Sequence, residues 1–177
     1  VGGSDQPVVK SIENYKPDFV YFVCSEATSE NKGTAESVDG KDFQFVDRNT
    51  GEKRPNLITQ TGLKEDSYQL LTVATDNPFD VYEKVRVVID RHLEKGDRVN
   101  ADYTGGTKSM SVGLASAAFD FNNCEISIVT GIRVDTVKVK SGLERVSKLP
   151  QNKVYIQRQM ELANEFLTNY DYQSALK

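Results

Sequence analysis

Short, apolar, β-rich runs alternate along this chain with longer stretches of helical periodicity, and few folds satisfy that alternation. Phe19–Cys24 is a continuous apolar run introduced by Lys16-Pro17-Asp18, the pattern of a buried strand. Gln69–Ala74 and Glu125–Val129 repeat it, and Val99–Tyr103 does so more weakly because Asn100 and Asp102 interrupt it. Between these runs, Pro7–Tyr15 carries Val8, Val9 and Ile12 on one side. Pro78–Leu93 places Val81, Val85, Val88 and Ile89 at helical spacing, opened by Asn77-Pro78 and closed before Gly96. Thr107–Phe119 is rich in serine, glycine and alanine, which predicts a helix able to lie very close to a neighbour. Strands separated by helices of about 10–15 residues imply βαβ units, hence an α/β domain with a mostly parallel sheet covered by helices on both faces.

Two regions depart from this rhythm. Phe43–Gln60 has the form of an inserted hairpin around Asn49-Thr50-Gly51, or of a long loop. Arg133–Leu149 is a second β insertion, with alternation in Val134, Thr136, Val137 and Val139 and a turn at Ser141-Gly142. Beyond Pro150 the pattern turns helical, with Ile156, Met160, Ala163 and Phe166/Leu167 on one side. The expected division is therefore a domain over 1–150 and the start of a helical segment over 151–177. Val1 stands where a first strand would be ending, and Tyr170–Lys177 where an amphipathic pattern restarts. The expectation is a fragment of a longer protein, its first strand largely missing.

Composition narrows the function. The chain has 177 residues, 38% hydrophobic and 27% charged, enough for one domain with a real core. Its net charge of −4 argues against a general nucleic-acid binder. Cys24 and Cys124 end apolar runs and fit buried free thiols in a reducing compartment. No run approaches the roughly 18 apolar residues of a membrane span. His92 is the only histidine, expected at the surface near a helix end, so no histidine-based triad or histidine-rich metal site is available.

Two glycine-containing loops sit at strand-to-helix junctions, the carboxyl edge where open α/β sheets bind ligands. One is Gly2-Gly3-Ser4-Asp5; the other is Thr104-Gly105-Gly106-Thr107-Lys108-Ser109. Glycine lets backbone approach a ligand closely, a helix N-terminus offers free N–H groups and partial positive charge, and Lys108 adds a full charge. The second loop is not a Walker A sequence, because Ala101 and Thr107 stand where that motif needs glycine, so ATP hydrolysis is not expected. Physical reasoning alone leaves open a plainer use: a tight turn before a close-packed helix, with Lys108 solvated.

Gly-Gly-Ser-x-x-Pro before a helix, Lys-Pro-Asp-Phe-Val before a strand, and Asp-Tyr-Thr-Gly-Gly-Thr-Lys-Ser-Met opening a small-residue helix resemble the CARF domain, the CRISPR-associated Rossmann fold. The tail, Ala163-Asn164-Glu165-Phe166 through Leu176, is similar to the start of the helical segment that follows the sensor in one kind of type III CRISPR effector. The resemblance implies a Rossmann-like sheet of order 3-2-1-4-5 and a cytoplasmic homodimer. It also implies a cyclic oligoadenylate ligand lying across the dimer axis, and an effector switched on by that ligand. Carried onto this chain, the binding residues are Gly3, Ser4 and Asp5, then Ser25 and Glu26, then Thr104, Gly105, Gly106, Thr107, Lys108 and Ser109. The backbone at Thr130 and Gly131 lies on the same edge. For Glu26 a solvated loop carboxylate is as good a reading as a base contact. The expected ligand is cyclic tetra-adenylate, whose ring shares the two-fold symmetry of a dimer, with cyclic hexa-adenylate second. No cofactor, metal, catalytic residue, membrane or DNA partner is expected. The rival readings are a ring nuclease that cleaves the cyclic oligoadenylate and a dimerisation scaffold with a vestigial pocket.

Overall fold

The computed structural model describes residues 1, 4–29, 32–47, 50–130, 133–134, 138–139, 145–149 and 151–176. Helix α1 (Gln6–Tyr15) leads into β1 (Val20–Ser25). Then come α2 (Glu36–Asp39), the antiparallel pair β2 (Gln44–Val46) and β3 (Lys53–Pro55), α3 (Leu57–Thr61) and β4 (Tyr68–Val73). The regular alternation follows: α4 (Pro78–Glu94), β5 (Val99–Asp102), α5 (Lys108–Phe119) and β6 (Cys124–Thr130). Strands β7 (Arg133–Val134), β8 (Lys138–Val139) and β9 (Arg145–Lys148) precede the helices α6 (Gln151–Thr168) and α7 (Tyr172–Ala175).

The βαβ reading holds. Strands β1 and β4 pair in parallel, Val20 opposite Tyr68 through Ser25 opposite Val73. Strands β5 and β6 also run parallel, Val99 opposite Cys124, and β9 adds an antiparallel edge strand to β6. The amino group of Val1 donates to the Val23 carbonyl at 2.5 Å, which lays Val1 beside β1. Alternation along β1 sends Phe22 and Cys24 into one core, with Val9 of α1, Val38, Phe45 and Leu57. It sends Val23 against the other, where Val81, Val85 and Ile89 of α4 meet Met110, Ala117 and Ala118 of α5. Helices thus cover both faces.

The small residues of α5 have a use. A β-carbon built on Gly113 would lie 2.4 Å from the Pro78 carbonyl oxygen and 2.7 Å from Val81 Cβ, so only glycine lets α4 and α5 pack this closely. Helix α4 is capped by Asn77, whose side chain accepts the Phe79 and Asp80 N–H groups ahead of Pro78 at the first turn.

Phe43–Gln60 is a hairpin followed by α3, its turn closed by Gly51 N–H on the Asp47 carbonyl; Asn49 lies outside the described residues. Thr136, Val137, Ser141, Gly142 and Pro150 also lie outside them. His92 lies near the end of α4 and is partly exposed. Its Nε2 lies 3.1 Å from the Tyr21 hydroxyl and its Nδ1 2.7 Å from an Asp97 carboxylate oxygen, so the ring ties the end of α4 to β1. Helical position alone does not show that Tyr21 packs edge-on against this ring. Among the described residues no helix is long and apolar enough to cross a membrane, and no cluster of three His, Cys, Asp or Glu could hold a metal ion.

Candidate ligand-binding site

The strands deliver their loops to one edge, and hydrogen bonds between loops show it. The Glu26 N–H, just past β1, donates to the Val73 carbonyl at the end of β4. The Tyr103 N–H, just past β5, donates to the Ser127 carbonyl in β6. The Thr107 hydroxyl donates at 2.9 Å to the Thr75 carbonyl in the loop that follows β4.

The loop from Thr104 to Ser109 has the geometry of an anion cradle. Gly106 sits at φ +90°, a conformation that side-chain-bearing residues rarely adopt. Thr107 caps α5 by accepting the Met110 N–H. Among the described residues, the backbone N–H groups of residues 105 to 109 donate to no protein acceptor. Consecutive free amides at a helix N-terminus make an anion-binding concavity. Lys108, at the first position of α5, is exposed and makes no ion pair among the described residues, so its charge is available there.

The hydroxyls divide into two groups. Thr107 is spent, donating to Thr75 and accepting from Met110. Thr104 accepts the Val129 N–H at 2.7 Å through its oxygen, which leaves its own O–H free to donate. Ser109 is partly exposed with no partner among the described residues. A Thr130 hydroxyl contact with Ser147 holds β6 to β9.

The structure of Csm6 from Enterococcus italicus bound to cyclic hexa-2'-fluoro-hexa-dAMP matches this chain with a TM-score of 0.59 at 14% identity. The match covers 99% of this chain and 46% of that one, so the chain spans less than half the length of that protein. The two chains share a Rossmann-like α/β fold. No family model and no curated protein sequence matches the chain.

Within this fold the residues singled out in the sequence fall into three places. Ser4, Glu26 and Lys108 are exposed at the carboxyl edge with Thr104, Gly105, Gly106 and Ser109. Asp5 and Ser25 point inward. The Asp5 carboxylate, 1% exposed, is gripped by Arg54 of β3, with Gln6 adding a bond at 3.3 Å. Burial alone would push its carboxyl up. The bonds from Arg54, Gln6 and its own backbone, with the Arg54 charge, outweigh that and hold it below the usual carboxylate range. Ser25 is bound by the loop that folds back over it, through the Thr34 hydroxyl at 2.9 Å from its N–H. Gly3 and Gly131 lie outside the described residues.

Arg54 is the residue that reading the sequence missed. It lies in the inserted hairpin, in no motif, and only its charge beside an isolated aspartate at a helix start could have pointed to it. Two shallow grooves of about 350 and 410 Å³ lie away from these loops, one against Ile12, Lys16 and Leu63, the other against Tyr21, Leu71 and Val88. The candidate site is therefore an open edge.

Proposed function

We propose that this chain is a sensor module that binds a cyclic oligoadenylate across a homodimer and switches on an effector segment in type III CRISPR antiviral defence. The observation that carries the reading is the run of unpaired N–H groups at 105 to 109 with Lys108 at the same helix end. Such a cradle takes a phosphate oxygen, and an RNA ring supplies several at regular spacing. The free hydroxyls of Thr104 and Ser109 and the exposed Ser4 and Glu26 give donors and acceptors for ribose and base edges. Asp5, Ser25 and Thr107 act behind them, holding the loops in shape. The fold shared with a protein solved in complex with a cyclic hexa-adenylate analogue supports the ligand class.

An open edge in one subunit covers only part of so large a ring, and a second copy related by a two-fold axis completes it. Tetra- and hexa-adenylate rings both accept that axis, so symmetry alone does not choose between them. Calorimetric titration of the pure protein with cyclic tri-, tetra- and hexa-adenylate, with light scattering before and after, tests the reading. One even-numbered ring bound per two chains is the expected result. A monomer that binds one ring per chain, or a protein that binds none, overturns it.

A further inference from the structure

Asp102 ends β5 two residues before the cradle begins, and its carboxylate joins three elements. One oxygen accepts the Thr104 N–H at 3.0 Å. The other accepts the Ser11 hydroxyl of α1 at 2.9 Å and the Ser127 hydroxyl of β6 at 3.0 Å. Ser127 is fully buried, and its oxygen also lies 3.0 Å from Asn100 Oδ1, so its one proton is shared between the two acceptors. Ser11 lies on α1, the helix that Asp5 precedes, so this carboxylate ties that helix to the end of β5. Thr104 is then held at both ends of its residue: its N–H by Asp102 and its hydroxyl oxygen by the Val129 N–H.

A carboxylate is an adverse choice here on charge alone. An anion beneath a loop that takes phosphate repels the ligand, and the repulsion is strongest where water is excluded. Its value must lie in geometry: two oxygens with lone pairs enough for three donors, which no neutral side chain of that length offers in full. We propose that Asp102 is the positioning residue of the phosphate cradle, locking the Thr104–Gly106 turn to α1 and β6 in the empty protein so that the N–H groups of 105 to 109 stay convergent. Binding then proceeds without first ordering the loop, which would otherwise reduce affinity. The assignment rests on the sensor reading for its ligand and on the ligand-free protein for its mechanism.

Two substitutions separate geometry from charge. Asp102→Asn keeps an oxygen for the Thr104 N–H and turns its amide to Ser11 or Ser127, whose hydroxyls rotate to accept. Asp102→Ala removes every bond. Amide hydrogen exchange on the ligand-free protein is the first readout. Exchange at the Thr104 and Val129 amides, whose acceptors are the Asp102 carboxylate and the Thr104 hydroxyl oxygen, is expected to speed at least tenfold in D102A and to stay within threefold of wild type in D102N. Unchanged exchange in D102A overturns the assignment whether or not any ring binds. The second readout is calorimetric affinity for cyclic tetra- and hexa-adenylate, well below each melting temperature. D102A is expected to bind the ring at least tenfold more weakly, and D102N as tightly as wild type or up to tenfold tighter. D102N no better than D102A overturns positioning by geometry. Gly113→Ala is the control for stability alone: it lowers the melting temperature without changing affinity. If D102A does not fold, the double variant Ser11→Ala, Ser127→Ala carries the test, since it frees the carboxylate from both anchors; unchanged exchange and affinity there overturn the proposal. A wild-type protein that binds neither ring while D102A still loosens the loop defeats the sensor reading and leaves the positioning role standing.

Discussion

Arg54 grips Asp5 with both arms of its guanidinium, Nε donating to Oδ2 at 2.7 Å and Nη2 to Oδ1 at 3.1 Å, and so ties the inserted hairpin to the start of α1. The Asp5 side chain is almost fully buried and Arg54 about four-fifths so. Removing one partner of such a pair strands the other charge, at a cost of about 3–5 kcal/mol. Arg54→Ala is expected near the lower end at pH 7, because water reaches the Arg54 site. The pH dependence has a definite sign. In the wild type the folded carboxyl titrates below its unfolded value, so its stabilisation is full above about pH 4 and is lost as pH falls through the lower folded value. In R54A burial becomes dominant and lifts the folded value above the unfolded one, so the variant recovers part of its loss on acidification. Urea melts at pH 7 and pH 4.5 are expected to show a smaller difference between R54A and wild type at the lower pH. An equal difference at both would mean that Asp5 is not the group left stranded.

Lys108 and Thr107 are adjacent, yet their substitutions are expected to do different things. Lys108 is exposed and unpaired among the described residues, so Lys108→Ala leaves stability alone and weakens ring binding. One charge-assisted contact is worth about 1.5–3 kcal/mol, and a dimer loses two, so affinity falls at least tenfold. Thr107 is committed to Thr75 and to capping α5, so Thr107→Ala costs about 1 kcal/mol of stability. Ser4→Ala removes a neutral donor worth about 0.5–1.5 kcal/mol and is milder than Lys108→Ala. Titration calorimetry with the ring and thermal melts of each variant separate the effects. Unchanged affinity in Lys108→Ala would take this loop out of the site.

The sheet was legible because its signals are local. Apolar runs such as Phe19–Cys24 and the spacing of Val81, Val85 and Ile89 follow directly from strand and helix periods. The loop from Thr104 to Ser109 was legible for the same reason, since a glycine pair at a strand-to-helix junction is a short-range pattern. What was hidden depends on long-range pairing. Asp5 stood among the expected binding residues, and nothing local showed that Arg54, 49 positions away, grips it. The contact of the His92 ring with Tyr21, 71 positions away, is of the same kind. Thr107 looked like one more ligand donor, and only the carbonyl of Thr75 shows that its proton is taken. Periodicity reports which face a residue occupies and says nothing about which distant side chain shares it.

Gly113 offers a test of the helical layer that does not involve the ligand. A methyl group there meets the Pro78 carbonyl and Val81 at distances no packed carbon tolerates, and the first of these is backbone at the capped start of α4, which cannot swing aside. Overpacking of this kind costs about 1–3 kcal/mol. Gly113→Ala is expected to lower the melting temperature by several degrees, and Gly113→Leu to prevent folding. A melting temperature unchanged in Gly113→Ala would show that α4 and α5 lie further apart than described.

The chain is expected to bind the ring and cut it slowly or not at all. Metal-independent cleavage of RNA requires the ribose 2′-hydroxyl to attack its neighbouring phosphate in line, with a base to take the proton and a positive group to hold the new charge. The cradle and Lys108 supply the second. For the first, His92 is badly placed: α4 begins after β4 at the ligand edge and ends before β5, which carries His92 to the opposite edge, where Tyr21 and Asp97 occupy both ring nitrogens. Glu26 is the carboxylate exposed just past β1, and no side chain among the described residues holds it in place as a base. Holding the 2′-hydroxyl in line could still give slow turnover through positioning alone. Single-turnover incubation of excess protein with cyclic tetra- and hexa-adenylate, with and without EDTA, measures this directly. Intact ring after many minutes is the expected result, and Glu26→Ala is expected to leave any residual rate within tenfold. Complete conversion to linear product within a minute, lost in Lys108→Ala, would make ring cleavage the primary activity.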